Sequence, residues 1–274
     1  MIPVANITAW RASVPWADES LVEQDLVLSR ALVEIFAAPD LASSLTLRGG
    51  TALHKLHLHP PWRYSEDIDL VQNSAGPIGA VLDSLRARLD PWLGTPRRQR
   101  GPGIVTLIYR FESENIPIVP LRLKVEINTR EHFSVMPLLT RSLTVQNRWF
   151  AGTADVVTYT LEELLATKLR ALYQRKKGRD LFDLWSALHR TAAVPVKIVE
   201  CFERYLTHAA TPISRSDFEA NLADKLLDPA FTADLSPLLA AGISYDAFQA
   251  ATTLRHSILS LLPDTNRKKA PMTQ

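Results

Sequence analysis

Two aspartates one residue apart, Asp67 and Asp69, stand in the segment Arg63-Tyr64-Ser65-Glu66-Asp67-Ile68-Asp69-Leu70, a short loop after the glycine pair of Gly49-Gly50-Thr51-Ala52-Leu53-His54-Lys55. On a strand, successive side chains point to opposite faces, so the two carboxylates project together while Ile68 and Leu70 turn to the core. Adjacent carboxylates repel one another and resist desolvation. A divalent cation removes that cost, and Mg2+ binds one or two protein carboxylates together with substrate phosphates. The glycine pair lets backbone approach a ligand closely, and the N–H groups opening the following helix favour an anion such as a triphosphate. A phosphate grip beside a metal grip points to nucleotidyl transfer. Taken singly, an Asp-x-Asp is more often a solvated turn or strand edge, and a Gly-Gly more often a tight turn. The order of strand (45–48), glycine pair, helix, loop and acidic strand carries the reading.

Other residues extend the chemistry. Arg63 and Ser65, just ahead of Asp67, are candidates for touching the triphosphate or for bracing the loop. Two basic clusters, Arg97-Arg98-Gln99-Arg100 and Arg175-Lys176-Lys177, suit either solvation or contact with a nucleic-acid backbone, since phosphate neutralisation supplies most non-specific affinity. His54, His57 and His59 lack structural zinc spacing and have no cysteine nearby, so zinc is rejected. Walker A, His-Glu-x-x-His and Gly-x-Ser-x-Gly motifs are absent.

The elements that must position these residues follow from pattern. An apolar helix is expected over 18–37, capped by Ser20 and Glu23, then a strand at 45–48, a helix near 51–58 and a strand at 67–72. A helix over 77–93 puts Leu82, Leu85 and Leu89 on one stripe; 94–103 reads as a Gly/Pro/Arg-rich loop, followed by strands at 104–112 and about 119–128. In the last of these Leu121, Leu123, Val125 and Ile127 alternate with Arg122, Lys124, Glu126 and Asn128, which leaves Glu126 either a third carboxylate beside Asp67 and Asp69 or the salt-bridge partner of Arg122 or Lys124. More strand is expected near 142–150, and from Thr160 onward the texture is helical, with a Ser216/Glu219 cap and a basic tail holding Arg267, Lys268 and Lys269. The expected organisation is α+β, with residues 1–155 forming an α/β domain and 156–274 a helical domain.

At 274 residues, 46% apolar, 22% charged and net charge +2, the composition is that of a soluble globular protein, and any basic surface must be local. The lone Cys201 excludes an internal disulfide framework and reads as a buried helix residue. No apolar run approaches the roughly 20 residues that span a bilayer, and no signal-peptide pattern opens the chain. A cytoplasmic protein without a membrane partner is expected.

Gly-Gly-Thr-Ala-Leu-x-Lys with Ser-Glu-Asp-Ile-Asp resembles the AbiEii/AbiGii toxin family of the DNA-polymerase-β-like nucleotidyltransferase superfamily. A second block, Leu164-Leu165-Ala166-Thr167-Lys168 followed by Arg179-Asp180-Leu181-Phe182-Asp183-Leu184, is similar to the family's lysine helix and its Arg-Asp-x-x-Asp-Leu segment. The resemblance implies a mixed sheet flanked by helices, then a C-terminal helical bundle completing the active site. It implies Mg2+ on Asp67, Asp69 and Glu126, with Gly49, Gly50, Thr51, Arg63, Ser65 and Lys168 gripping the NTP. Asp180 would position Lys168, with Arg179 and Asp183 in support. Gly50 stands where many relatives carry Ser, and Glu126 where an Asp is usual. The resemblance further implies transfer of a nucleoside monophosphate to a tRNA 3′ end, contacted by Arg97, Arg98, Arg100, Arg175, Lys176 and Lys177, and a cognate antitoxin. A protein hydroxyl or a small molecule as acceptor, and a non-catalytic nucleotide-binding partner protein, are the rival readings.

Overall fold

The computed structural model describes residues 2–264; the basic tail with Arg267, Lys268 and Lys269 lies outside them. The chain forms two compact units. The first runs from the N-terminus to Thr160 and takes back Leu238–Ile243, and the second holds Leu161–Pro237 and the chain from Ser244 onward.

The first unit contains α1 (Val4–Trp10), α2 (Glu19–Phe36), α3 (Pro39–Ser44), β1 (Leu45–Arg48), α4 (Gly49–Ala52), β2 (Asp67–Gln72), α5 (Gly79–Leu93), β3 (Arg97–Gly101), β4 (Ile104–Glu112), β5 (Pro120–Asn128), β6 (Leu139–Gln146) and β7 (Ala151–Thr158). They build one seven-stranded mixed sheet in the order β3-β4-β5-β2-β1-β7-β6. β2 runs parallel to β5 and β1 parallel to β7, while the remaining pairs are antiparallel. Helix α2 packs on β5, β6 and β7. The alternation on β5 is as expected: Leu123, Val125 and Ile127 are buried, and the polar residues between them are not.

Helix α2 is buried on nearly every side, including its polar residues, and each of those needs a partner. Asp25 receives the indole N–H groups of Trp10 at 3.0 Å and Trp16 at 3.1 Å and the Lys55 ammonium at 2.7 Å, which ties the irregular N-terminal segment to the helix. The Gln24 amide donates to the Arg122 carbonyl at 2.5 Å. Glu23 does not cap α2 as its spacing with Ser20 suggested. Asp18 is the N-cap, accepting from the Ser20 N–H at 2.7 Å, and Glu23 instead accepts the Glu114 N–H at 3.0 Å.

Other expectations shift as well. Residues 97–101 are an edge strand rather than part of a loop, because five backbone pairs to β4 outweigh their turn-like composition. Pro39 starts α3 at its first turn instead of merely ending α2. The helix after the glycine pair starts at Gly49 and widens into a π-type turn at Leu53–His57. The strand expected near 142–150 is the β6–β7 hairpin. The segment Leu238–Ile243 braces the stretch before β2: Leu238 accepts from the Tyr64 N–H at 2.7 Å and Ala240 donates to the Trp62 carbonyl at 2.9 Å.

The second unit comprises α6 (Leu161–Gln174), α7 (Gly178–Arg190), α8 (Pro195–His208), α9 (Arg215–Leu226), α10 (Pro229–Ala233) and α11 (Ala247–Ser257). Helix α6 packs on α7 and α8, and α7 on α11, with Phe182 edge-on to Tyr245. Ser214 and Asp217 form the capping box of α9, one turn-start earlier than Ser216/Glu219, and Glu219 pairs instead with Arg215 at 2.9 Å. Cys201 is buried, and burial pushes its thiol up to about 12, so it is no nucleophile. Among the described residues no helix is long and apolar enough to cross a membrane.

Burial raises the Glu23 carboxyl from its ordinary 4.5 to about 7. The folded state therefore holds this proton more tightly than the unfolded state. That contribution is complete below the unfolded value and is lost as pH rises through the folded one. Glu23→Gln removes the dependence, so the melting-temperature difference between variant and wild type is expected to shift in the variant's favour between about pH 5 and pH 8. A constant difference across that range would assign Glu23 no such proton.

Candidate active site

The acidic strand is held from both sides. β1 lies antiparallel to β2 with Arg48 opposite Asp69, and the chain leaves β1 through Gly49 at φ +76, a left-handed conformation that favours glycine. A Cβ at Gly49 would collide with the Asp69 carboxylate, and one at Gly50 would come within 2.7 Å of the Arg63 guanidinium and of Ser65 Oγ. The glycine pair thus lets Asp69, Arg63 and Ser65 close against the start of α4. The Thr51 hydroxyl donates to the Asp67 carbonyl at 2.5 Å and contacts Ser65 Oγ at 3.0 Å. Arg63 is buried, donating to the Tyr64 carbonyl at 2.8 Å.

On the other side β5 puts Lys124 opposite Asp67 and Glu126 opposite Asp69. Asp67, Asp69, Lys124 and Glu126 share one face of the sheet, since Ile68, Leu70, Val125 and Ile127 occupy the buried one. The Lys124 ammonium lies 2.8 Å from Glu126 and 3.6 Å from Asp67. Burial, reinforced by Asp69, raises the Asp67 carboxyl to about 6, and its Oδ1 is buried without a hydrogen-bond partner. A buried, unpartnered carboxylate oxygen beside a second carboxylate is a fitting donor for a hard cation. Among the described residues no three such side chains yet converge on one ion, and Glu126 is turned to Lys124. Of the two salt-bridge partners the sequence offered Glu126, Lys124 takes the role. Its place on the polar face of β5 was visible, but its register against Asp67 was not.

The second motif block forms its own cluster within the helical unit. Lys168 on α6 is buried, with its ammonium 2.8 Å from Asp183 and 3.2 Å from Asp180 on α7. Arg175 donates to Asp180 at 2.7 and 2.9 Å. Burial alone would raise the Asp180 carboxyl, but Lys168 and Arg175 outweigh it and hold the group below its ordinary value. The Lys225 ammonium reaches the Leu172 and Tyr173 carbonyls at the end of α6, and burial lowers it to about 8. Of the second basic cluster, Arg175 serves Asp180, Lys176 pairs with Asp228 at 2.6 Å and Lys177 with Asp234 at 3.6 Å. Arg179 lies 4.0 Å from Asp234. Arg97, Arg98 and Arg100 stand exposed on β3.

Comparison with protein families matches residues 30–253 to a family described as "Nucleotidyl transferase AbiEii toxin, Type IV TA system". The chain belongs to the AbiEii nucleotidyltransferase toxin family. A search of curated proteins finds no match. Among solved structures, MenT4, a nucleotidyltransferase toxin from Mycobacterium tuberculosis, is similar at TM-score 0.58 and 16% identity, covering 96% of this chain and 91% of that one. JHP933 from Helicobacter pylori is similar at TM-score 0.56 and 17% identity, covering 89% and 92%. At these identities the likeness is one of fold. The AbiEii assignment makes the protein a nucleotidyltransferase, with both the acidic strand and the lysine helix inside the matched region.

Two outcomes test the geometry. Gly49→Ala imposes about 1–2 kcal/mol of left-handed backbone strain and pushes Asp69 aside, so both melting temperature and nucleotidyl transfer should fall. Unchanged transfer would mean that the Asp69 position is not critical. Lys168→Met leaves two buried carboxylates facing each other, and urea unfolding should show a loss of about 3–5 kcal/mol, partly restored by adding Asp183→Asn. Additive losses would show that the ammonium does not couple to Asp183.

Proposed function

We propose that this AbiEii-family nucleotidyltransferase transfers a nucleoside monophosphate from an NTP to the 3′ end of a tRNA, in the cytoplasm, as a toxin restrained by a cognate antitoxin. The observation that carries the reading is the buried, unpartnered Asp67 Oδ1 beside Asp69 and against the glycine turn. Asp67 and Asp69, with Glu126 once it is released from Lys124, would hold Mg2+. A bound divalent ion supplies positive charge for the triphosphate and for the oxygens that gain charge as pyrophosphate leaves.

The chain's own residues do the rest. Gly49 and Gly50 admit the triphosphate to the backbone N–H groups at the start of α4, and Thr51 fixes that turn to the strand through the Asp67 carbonyl. Arg63 and Ser65, packed on Gly50, border the same turn. Lys168 is proposed as a phosphate contact and Asp180 as the group that orients it, both on the family resemblance. The acceptor hydroxyl oxygen bonds to the α-phosphorus in line as the bond to pyrophosphate breaks, and positioning supplies much of the acceleration. Arg97, Arg98 and Arg100, exposed on β3, are the proposed backbone contacts for the tRNA. Arg175, Lys176 and Lys177 would have to exchange their present carboxylate partners to join them.

The test is incubation with Mg2+, each α-phosphate-labelled NTP in turn and total RNA, beside an Asp67→Asn/Asp69→Asn double variant. Label on tRNA-sized RNA is expected, reduced by at least ~10³-fold in the variant, which should keep a normal melting curve. Label on a protein or small molecule would reassign the acceptor. No label with any NTP would return the chain to nucleotide binding without transfer. Expression of wild type, but not of the double variant, should arrest growth.

A further inference from the structure

Residues directly opposite one another on an antiparallel face are destabilising when they carry like charge. β4 and β5 contain such a pair, with Arg110 opposite Arg122 in register. Both side chains are exposed. Arg122 has Glu66 at 3.9 Å, a loose and half-exposed contact, and Arg110 makes no ion pair among the described residues. The two arginines line a cleft of about 690 Å³ together with Gln24, Glu66, Glu112 and Leu121.

The position of this pair is informative. Arg122, Lys124 and Glu126 share the polar face of β5, and Lys124 stands opposite Asp67. Arg110 and Arg122 are therefore one two-residue step, about 7 Å along the strand, from the row that holds Asp67. A guanidinium presents a planar fork that takes phosphate oxygens in pairs. An anion between two of them turns their repulsion into attraction.

We infer that Arg110 and Arg122 form a phosphate subsite on the face that carries Asp67 and Asp69. Glu66 and Glu112 at the cleft repel a bare anion but accept hydrogen bonds from hydroxyls. The chemistry that fits is a phosphate borne next to ribose hydroxyls. Two sources carry it: the nucleotide, or the sugar–phosphate backbone of an acceptor strand. Its part in catalysis rests on the function proposed above, while the binding stands on the geometry of the pair.

The experiment compares wild type with Arg110→Gln, Arg122→Gln and the double variant in the full chain. One arm titrates a fluorescent single-stranded RNA of about ten nucleotides at several salt concentrations. The other titrates each NTP with Mg2+ by calorimetry. Removing surface like charges should leave the melting temperature unchanged or raised. In one arm the double variant is expected to bind roughly tenfold or more weakly, with each single variant between. Loss in the RNA arm alone, with a salt slope shallower by about 0.7 per phosphate contact, identifies the acceptor backbone. Loss in the NTP arm alone identifies the nucleotide. Unchanged affinity in both arms overturns the inference. The two readings separate cleanly, because a wild type that transfers no label while the arginine pair governs binding would sink the catalytic proposal and leave the subsite standing.

Discussion

The register between β2 and β5 is the constraint on which the site depends. Ile68 and Leu70 on one strand and Val125 and Ile127 on the other are fully or almost fully buried. Because strand side chains alternate with period two, a slip of one residue would drive Asp67 and Asp69 into that apolar layer and expose its aliphatic residues. The cost of that exchange fixes the pairing. The polar face then follows without further choice: Asp67 meets Lys124 and Asp69 meets Glu126. The glycine turn adds a second lock, since Gly49 leaves no room for any side chain where the Asp69 carboxylate sits.

Two buried carboxylates, Asp25 and Asp180, and the half-buried Asp67 differ in how fully the fold satisfies them. Asp25 is saturated, with two indole donors and an ammonium bridging both its oxygens. Asp180 is likewise satisfied, by Lys168 and Arg175, and is held low as a result. Asp67 differs: one oxygen has no partner, and burial together with Asp69 raises the group to about 6. A fully paired buried carboxylate is settled, whereas an under-satisfied one beside a like charge stores unfavourable energy that a cation relieves. That contrast, more than acidity itself, is what the proposed cation site on the acidic strand rests on.

Lys124 links the two themes. It sits between Asp67 and Glu126 as a tethered cation, so the third carboxylate implied by the family resemblance is present on the right face but engaged. The same polar face continues to Arg122 and Arg110, two like charges directly opposite one another, with Glu66 3.9 Å from Arg122. One strand thus passes from a carboxylate to an ammonium to a guanidinium in steps of two residues, an order suited to a ligand carrying both metal-bound and exposed phosphates.

The sequence by itself determined the reaction family and the faces of the strands. The order of glycine pair, helix and acidic strand, and the lysine helix further on, were legible because each motif is local and its spacing is set by one element's period. Alternation on β5 likewise told which residues shared a face. Local signals failed where a tertiary partner outcompeted them. Glu23 left its expected cap for the Glu114 amide, and residues 97–101 became a strand because β4 offered backbone partners. Only the tertiary structure decided that Lys124 faces Asp67, that Arg110 faces Arg122, that Lys168 lies between two buried aspartates, and that Leu238–Ile243 returns to brace the segment before β2. The physical reason is common to all four: periodicity fixes a side chain's direction from its own element, but its neighbour is set by packing between segments distant in sequence, whose register no local pattern encodes.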